Sequence, residues 1–194
     1  MVGDRWGAAL DSETGYHFAY EWVDLEDIAP MVQTAVIAAE DQRFADHYGF
    51  DLVEIGNAVS TRMKGRSNRG ASTISQQTAK NLFLWGGQSW LRKGIEAWLT
   101  TWIEGLWPKK RILEVYLNIA EFGRGTFGVQ AASRRYFKKS AAQVSLAESS
   151  LLAAVLPNPL IYRVDQPGPR VRKRQQWIQA QIQSIGGASY LKRL

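Results

Sequence analysis

Apolar residues recur at helical spacing along most of this chain, and residues that start or stop helices bracket each such segment. Pro30 suits a first helical turn, and Met31, Val32, Ala35, Val36 and Ala39 follow it in register. Thr73 with Gln76, and Ser145 with Glu148, each have the three-residue offset of a capping box. Leu91, Ile95, Trp98, Leu99, Trp102, Ile103 and Leu106 form one apolar stripe that Pro108 stops. "KKRILEVYLNIAEF" is a further amphipathic helix ended by Gly123, and "SLAESSLLAAVLP" halts at Pro157. The last helix, "PRVRKRQQWIQAQIQSIGG", is basic and closed by glycines. No alternating run is long enough to demand a sheet, and no repeat or linker divides the chain. The expected class is all-α, or nearly so, in a single domain over 1–194.

At 194 residues the chain is long enough to bury a core of its own. Its net charge of +6 and pI near 9.6 point to a polyanionic partner: nucleic acid, an acidic membrane surface or a phosphorylated substrate. The absence of cysteine excludes disulfides, thiol nucleophiles and cysteine zinc sites. Two histidines, His17 and His47, are too few for a histidine metal cluster. Eight tryptophans are many for this length, and several lie between Trp85 and Trp107 among arginines and lysines. They are either core aromatics of a helical bundle or rings at a membrane interface.

Three stretches carry candidate chemistry. In "AAEDQRFADHYGFD" an apolar run ends in Glu40 and Asp41, with Phe44 and His47 close behind. The pair is either a solvated helix end or a working carboxylate held against an apolar wall, which would favour a raised pKa. In "RGASTISQQTAKNLFLW", Arg69 and Gly70 lead into a helix start, a ready anion site. Thr73, Gln76 or Gln77, and Lys80 then lie along one stripe. That stripe suits a ligand bearing sugar or amide groups and a phosphate, and it equally suits a solvated helix face. In "WLRKGIEAWLTTW", Arg92 and Glu96 have the spacing of a surface ion pair. Glu96 also lies at the margin of the apolar stripe, where it would be partly desolvated beside Arg92 and Lys93.

Two other matches carry no weight. "GRGTFG" has the spacing of a dinucleotide fingerprint, but a helix rather than a strand is expected before it. "SYLK" has the S-x-x-K pattern of transpeptidases at the very end of the chain, with no K-T-G.

Taken together, "EDQRFADHYGFD", "RGASTISQQTAKNLFLW", "RKGIEAWLT", "KKRILEVYLNIAEFG" and "AAVLPNP" resemble, in order and spacing, the peptidoglycan glycosyltransferases. The likeness is to the monofunctional biosynthetic form, which lacks a penicillin-binding domain, and runs from about Trp22 to the last helix. It implies a mostly helical, lysozyme-like head lobe with a small membrane-associated jaw. It implies polymerisation of lipid II into β-1,4-linked glycan strands, with undecaprenyl pyrophosphate as the leaving group. By its motif position Glu40 is the candidate base, Asp41 its polar neighbour, and Phe44 and His47 shape the pocket, His47 by orientation rather than proton transfer. Glu96 matches a second acidic position near the pyrophosphate, with a divalent ion such as Mg2+ or Mn2+ as an optional, not obligatory, cofactor there. Lys80, Arg92 and Lys93 are the matching cations. Arg69, Gly70, Ser72, Thr73, Gln76, Gln77 and Asn81 belong to the motif that lines the groove, and Tyr116 and Asn118 to one that is mainly structural.

One departure is visible: Gln88 stands where many members of the family carry an arginine. Stand-alone members also begin with a membrane-spanning helix, whereas no run here approaches the roughly 18 apolar residues of such a span. The resemblance therefore implies an anchor outside these residues, and a place on the periplasmic face of the bacterial inner membrane. The basic stretch 60–70 with Phe83, Trp85 and Trp90 would touch lipid. The implied partners are lipid II, the growing strand, the membrane surface and cell-division or transpeptidase proteins, and not nucleic acid. Arg170, Arg172, Lys173 and Arg174 are then a solvated or membrane-facing flank. Two rival readings are a lysozyme-like glycan-cleaving enzyme and a non-enzymatic basic module that binds anionic lipid or nucleic acid through that flank.

Overall fold

The computed structural model describes residues 10–11, 16–63, 72–84 and 89–194. Arg69, Gly70, Trp85 and Gln88 lie outside those residues, as does most of the basic stretch 60–70. Its first residues are not a loop, however, since they complete a helix that ends at Met63.

The described residues form α1 (Pro30–Glu40), α2 (Leu52–Met63), α3 (Ile74–Phe83), α4 (Trp90–Leu106), α5 (Lys109–Ile119), α6 (Val129–Phe137), α7 (Leu146–Val155) and α8 (Pro169–Ser184). Six of these are expected from the sequence; α2 and α6 are not, and α5 stops at Ile119 instead of running to Gly123. Both capping boxes form. The Thr73 side chain accepts from the Gln76 N–H and the Ser145 side chain from the Glu148 N–H, while each glutamine or glutamate reaches back to its cap. α1 is buried from Val32 to Ala38 and packs against α7 and α8, so it reads as almost wholly apolar rather than amphipathic. α3 and α5 complete the core, with Ile74, Ile112, Leu113, Tyr116 and Leu117 fully enclosed.

The chain is mostly helical but not sheet-free. Short strands β1 (Leu10–Asp11) and β2 (Tyr16–His17) pair antiparallel. β3 (Ala19–Tyr20), β4 (Glu121–Gly123) and β5 (Thr126–Phe127) form a sheet in the order β3-β5-β4, parallel then antiparallel. Runs of two or three residues are too short to show alternation. "GRGTFG" is the turn of the β4–β5 hairpin, so a strand does precede it. The connection is a hairpin rather than a strand-to-helix crossover, and it does not make a dinucleotide site. Gly128, which follows β5, has φ +81°, and a Cβ there would meet the Asn118 carbonyl oxygen at 2.7 Å. The glycine is required where α6 leaves the sheet. Asn118 also holds the entering chain, with its Oδ1 accepting from Val23 N–H and its Nδ2 donating to Val23 O.

Much of the stripe on α4 faces away from the core. Leu91, Trp98, Trp102 and Leu106 are between 54% and 74% exposed, and Trp90 is 94% exposed. The inward face carries Glu96, Thr100 and Ile103, and Glu104 accepts from Ser75 of α3 and, at 2.7 Å, from Lys109. The stripe is thus divided: Leu99 and Ile103 pack on the core beside buried Glu96 and Thr100, while Leu91, Trp98, Trp102 and Leu106 stand outward.

Candidate active site

The end of α1, the start of α3, α8 and the turn after α7 enclose a cavity of about 900 Å³. Glu40, the last residue of α1, points its carboxylate into it. Gln77 of α3 donates from Nε2 to Glu40 Oε2 at 3.0 Å, and Arg174 of α8 donates from Nη2 to Oε1 at 3.0 Å. The Arg174–Glu40 pair is mostly enclosed, with side chains 23% and 12% exposed. The surroundings of Glu40 are therefore an amide and a guanidinium rather than the apolar wall the sequence suggested. A carboxylate has about four acceptor positions, so two donors leave lone pairs for a third hydrogen bond.

Asp41 is the neighbouring anchor. Its Oδ2 accepts from the backbone N–H of Ile74 at 3.0 Å, and both its oxygens lie within 3.1 Å of His47 Nε2. Because an ionised carboxylate only accepts, His47 presents its Nε2–H to Asp41. His47 and Phe44 are buried, and their rings meet edge-on at 6.3 Å. The pair shapes the site from behind rather than lining the cavity.

Of the residues singled out in the sequence, Glu40, Asp41, Ser72, Thr73, Gln77 and Lys80 share the cavity wall. Gln76 is spent on the capping box, and Asn81 is exposed on α3. Glu96 forms a second cluster that does not reach the cavity wall. It is 3% exposed, accepts from Lys93 and has Arg92 Nη1 at 4.0 Å. It is thus more enclosed than a surface ion pair. Among the described residues no group of three His, Cys, Asp or Glu is placed to hold a metal ion. Glu96 is taken up by cations rather than grouped with other carboxylates, so the described set does not fit a divalent ion.

The sequence reading passed over the cationic side of the cavity. Arg43, Arg170, Lys173 and Arg174 line it together with Tyr162 and Trp177. Arg174 is a site residue, not a solvated flank, and its buried Nε has no protein partner. Arg43 reaches Asp51 at 3.2 Å, and Asp51 in turn caps the first turn of α2 through Val53 and Glu54 N–H. The missing signal was the one-residue coincidence of a basic helix face with the carboxylate of a distant helix, which spacing within one segment does not contain.

A carboxylate at an apolar helix end, caged by an amide and a guanidinium and facing several cations, fits sugar transfer from a phosphorylated donor. A family model described as transglycosylase matches residues 8–183. This chain belongs to the transglycosylase family. It is 60% identical over its whole length to a biosynthetic peptidoglycan transglycosylase of Mannheimia succiniciproducens, of which it covers 79%. It is 56% identical over its whole length to the Salmonella arizonae protein of the same name, covering 80% of it. It is 54% identical over 98% of its length to that of Xylella fastidiosa, covering 79%.

Tyr116 of this transglycosylase, assigned to the structural motif, reaches the site as well: its hydroxyl donates to Gln77 Oε1 at 3.0 Å. Burial pushes the Tyr116 phenol well above the usual tyrosine range, with the Glu40 charge adding to the rise, Arg174 opposing it and Asp41 adding a little. In the unfolded chain the phenol ionises near pH 10, and in the folded chain it ionises later. The unfolded state therefore binds fewer protons above about pH 10, and stability falls as pH rises beyond it. Urea unfolding at successive pH values above 9 is expected to show that decline, less steep in Tyr116→Phe. An unchanged slope in the variant would exclude this phenol as the source.

Proposed function

We infer that this chain is a glycosyltransferase that polymerises peptidoglycan glycan strands, with lipid II as the substrate and Glu40 as the base. The observation that carries the reading is the Glu40 carboxylate, held on both oxygens by Gln77 and Arg174 in a cavity lined by further cations. A glycan-cleaving enzyme needs carboxylates but no cation-lined wall. Transfer from a sugar pyrophosphate needs both.

The donor sugar carries an α-linked pyrophosphate and the product bond is β-1,4, so one inverting displacement suffices. The acceptor 4-hydroxyl loses its proton to Glu40 as its oxygen bonds to the donor C1, and the C1–oxygen bond to pyrophosphate breaks. The pyrophosphate departs as an anion. Lys80 is the motif cation on the wall of the cavity that can offer it countercharge, together with Arg170 and Lys173 of the same lining. Glu96, with Arg92 and Lys93 beside it on α4, forms an ion cluster apart from that wall. Ser72, Thr73 and Asn81 belong to the wall and rim along which the sugars would lie.

The substrate is membrane-bound, and the reading places the enzyme on the periplasmic face of the inner membrane. What supports it is the outward apolar face of α4, with Leu52, Val53 and Val59 of α2 and Phe83 of α3 also exposed. Large apolar side chains exposed in such numbers suit an interaction surface. No helix among the described residues is long and apolar enough to cross a membrane.

Two measurements follow. Purified protein given labelled lipid II in detergent is expected to make long strands, resolved by gel. Glu40→Gln should lose activity by at least about 10²-fold while still binding lipid II; near-normal polymerisation by the variant would remove Glu40 as the base. In flotation with anionic liposomes the wild type should co-float, and Trp98→Ser with Trp102→Ser should shift it to the bottom fractions. Equal flotation of both would place the membrane contact elsewhere.

A further inference from the structure

The hydroxyl of Tyr116 is the one part of that side chain that touches polar matter near the site. Tyr116 sits on α5 with 1% of its surface exposed, and its ring belongs to the core. Burying a phenolic oxygen costs free energy unless it is hydrogen-bonded, and a phenylalanine would fill nearly the same space. Its partner is the amide oxygen of Gln77, whose nitrogen in turn faces Glu40 Oε2, each contact at 3.0 Å.

The polarity of that chain is determined at both ends. Glu40 as a carboxylate only accepts, so Gln77 must turn its NH2 toward it. The amide oxygen then faces Tyr116, which must donate. Rotating the amide by half a turn would set oxygen against carboxylate and NH2 against hydroxyl. We propose that Tyr116 is a positioning residue for Glu40: its hydroxyl locks the orientation of the Gln77 amide, and the amide fixes the carboxylate. This rests on the reading of Glu40 as the base. The relay joins three helices, α5, α3 and α1, and complements Arg174, which holds the other carboxylate oxygen from α8.

Without the hydroxyl, the Gln77 amide oxygen is left buried beside an apolar ring or the amide swings away. Either way Glu40 loses a fixed donor on Oε2, while the rest of the cavity wall stays in place. The signature is a fall in kcat with little change in KM, a split that loosened packing alone does not produce.

The test is a cycle of Tyr116→Phe, Gln77→Ala and the double variant, with Glu40→Gln alongside. Each is assayed for initial rates of lipid II polymerisation and for thermal melting. Tyr116→Phe is expected to lower kcat by about tenfold or more, with KM changed by no more than about twofold. The double variant should be no slower than Gln77→Ala alone, because the hydroxyl acts only through the amide. The side-chain NH2 signal of Gln77 in a nitrogen–proton correlation spectrum should move in Tyr116→Phe. Additive losses in the double variant, or a Tyr116→Phe enzyme with normal kcat, would overturn the relay while leaving the base in place. An active Glu40→Gln would instead overturn the base itself.

Discussion

The Asp41 carboxylate is the contact on which the site depends. It stands one residue past the end of α1 and is 6% exposed, which is costly for a charge without donors. Three donor–acceptor contacts meet that cost: Ile74 N–H at the first turn of α3, and the His47 Nε2–H shared by both oxygens. The Ile74 contact also lies at the positive end of the α3 dipole, where a carboxylate is favoured. Through this one group the end of α1, the loop carrying Phe44 and His47, and the start of α3 are held in register. Glu40 and Gln77 project from those same two helix segments, so their hydrogen bond follows from the Asp41 contact.

Around that node the molecule divides its polar and apolar surfaces unusually. α1 buries nearly every side chain and delivers its two carboxylates only where it ends. α4 buries Glu96, Thr100 and, through Ser75 and Lys109, Glu104, while leaving four large apolar side chains and Trp90 in the open. The two inward carboxylates of α4 are tolerable because each meets a lysine or arginine, while the outward tryptophans leave large apolar surface open.

Much of this was legible in the sequence and some was not, for physical reasons. Helix caps are local, so Thr73–Gln76 and Ser145–Glu148 could be read directly and are present. The motif residues Glu40, Asp41, Ser72, Thr73, Gln77 and Lys80 converge because two adjacent helix ends carry them. Arg174 was read as a solvated flank, because periodicity within α8 describes its own faces and not which helix it packs against. Only the packing of α8 on α1 places that guanidinium on Glu40. The α4 stripe was visible as a stripe, but amphipathicity gives no sign telling core from membrane. The strands of the small sheet span two or three residues and leave no alternation to detect. Tyr116 looked structural because its ring is, and the single oxygen that reaches Gln77 has no signature in spacing.

The measurement that tests the account most directly is the activity of Asp41→Asn. Asparagine keeps the size of the side chain but leaves a single acceptor oxygen for the His47 and Ile74 donors, sets an NH2 against His47 and removes the charge that meets the start of α3. The account predicts polymerisation of labelled lipid II reduced by about 100-fold, at a temperature where circular dichroism shows the variant folded and its helix content unchanged. Polymerisation close to the wild-type rate by that folded variant would contradict it, because Glu40 and Gln77 would then be held in place by something other than Asp41.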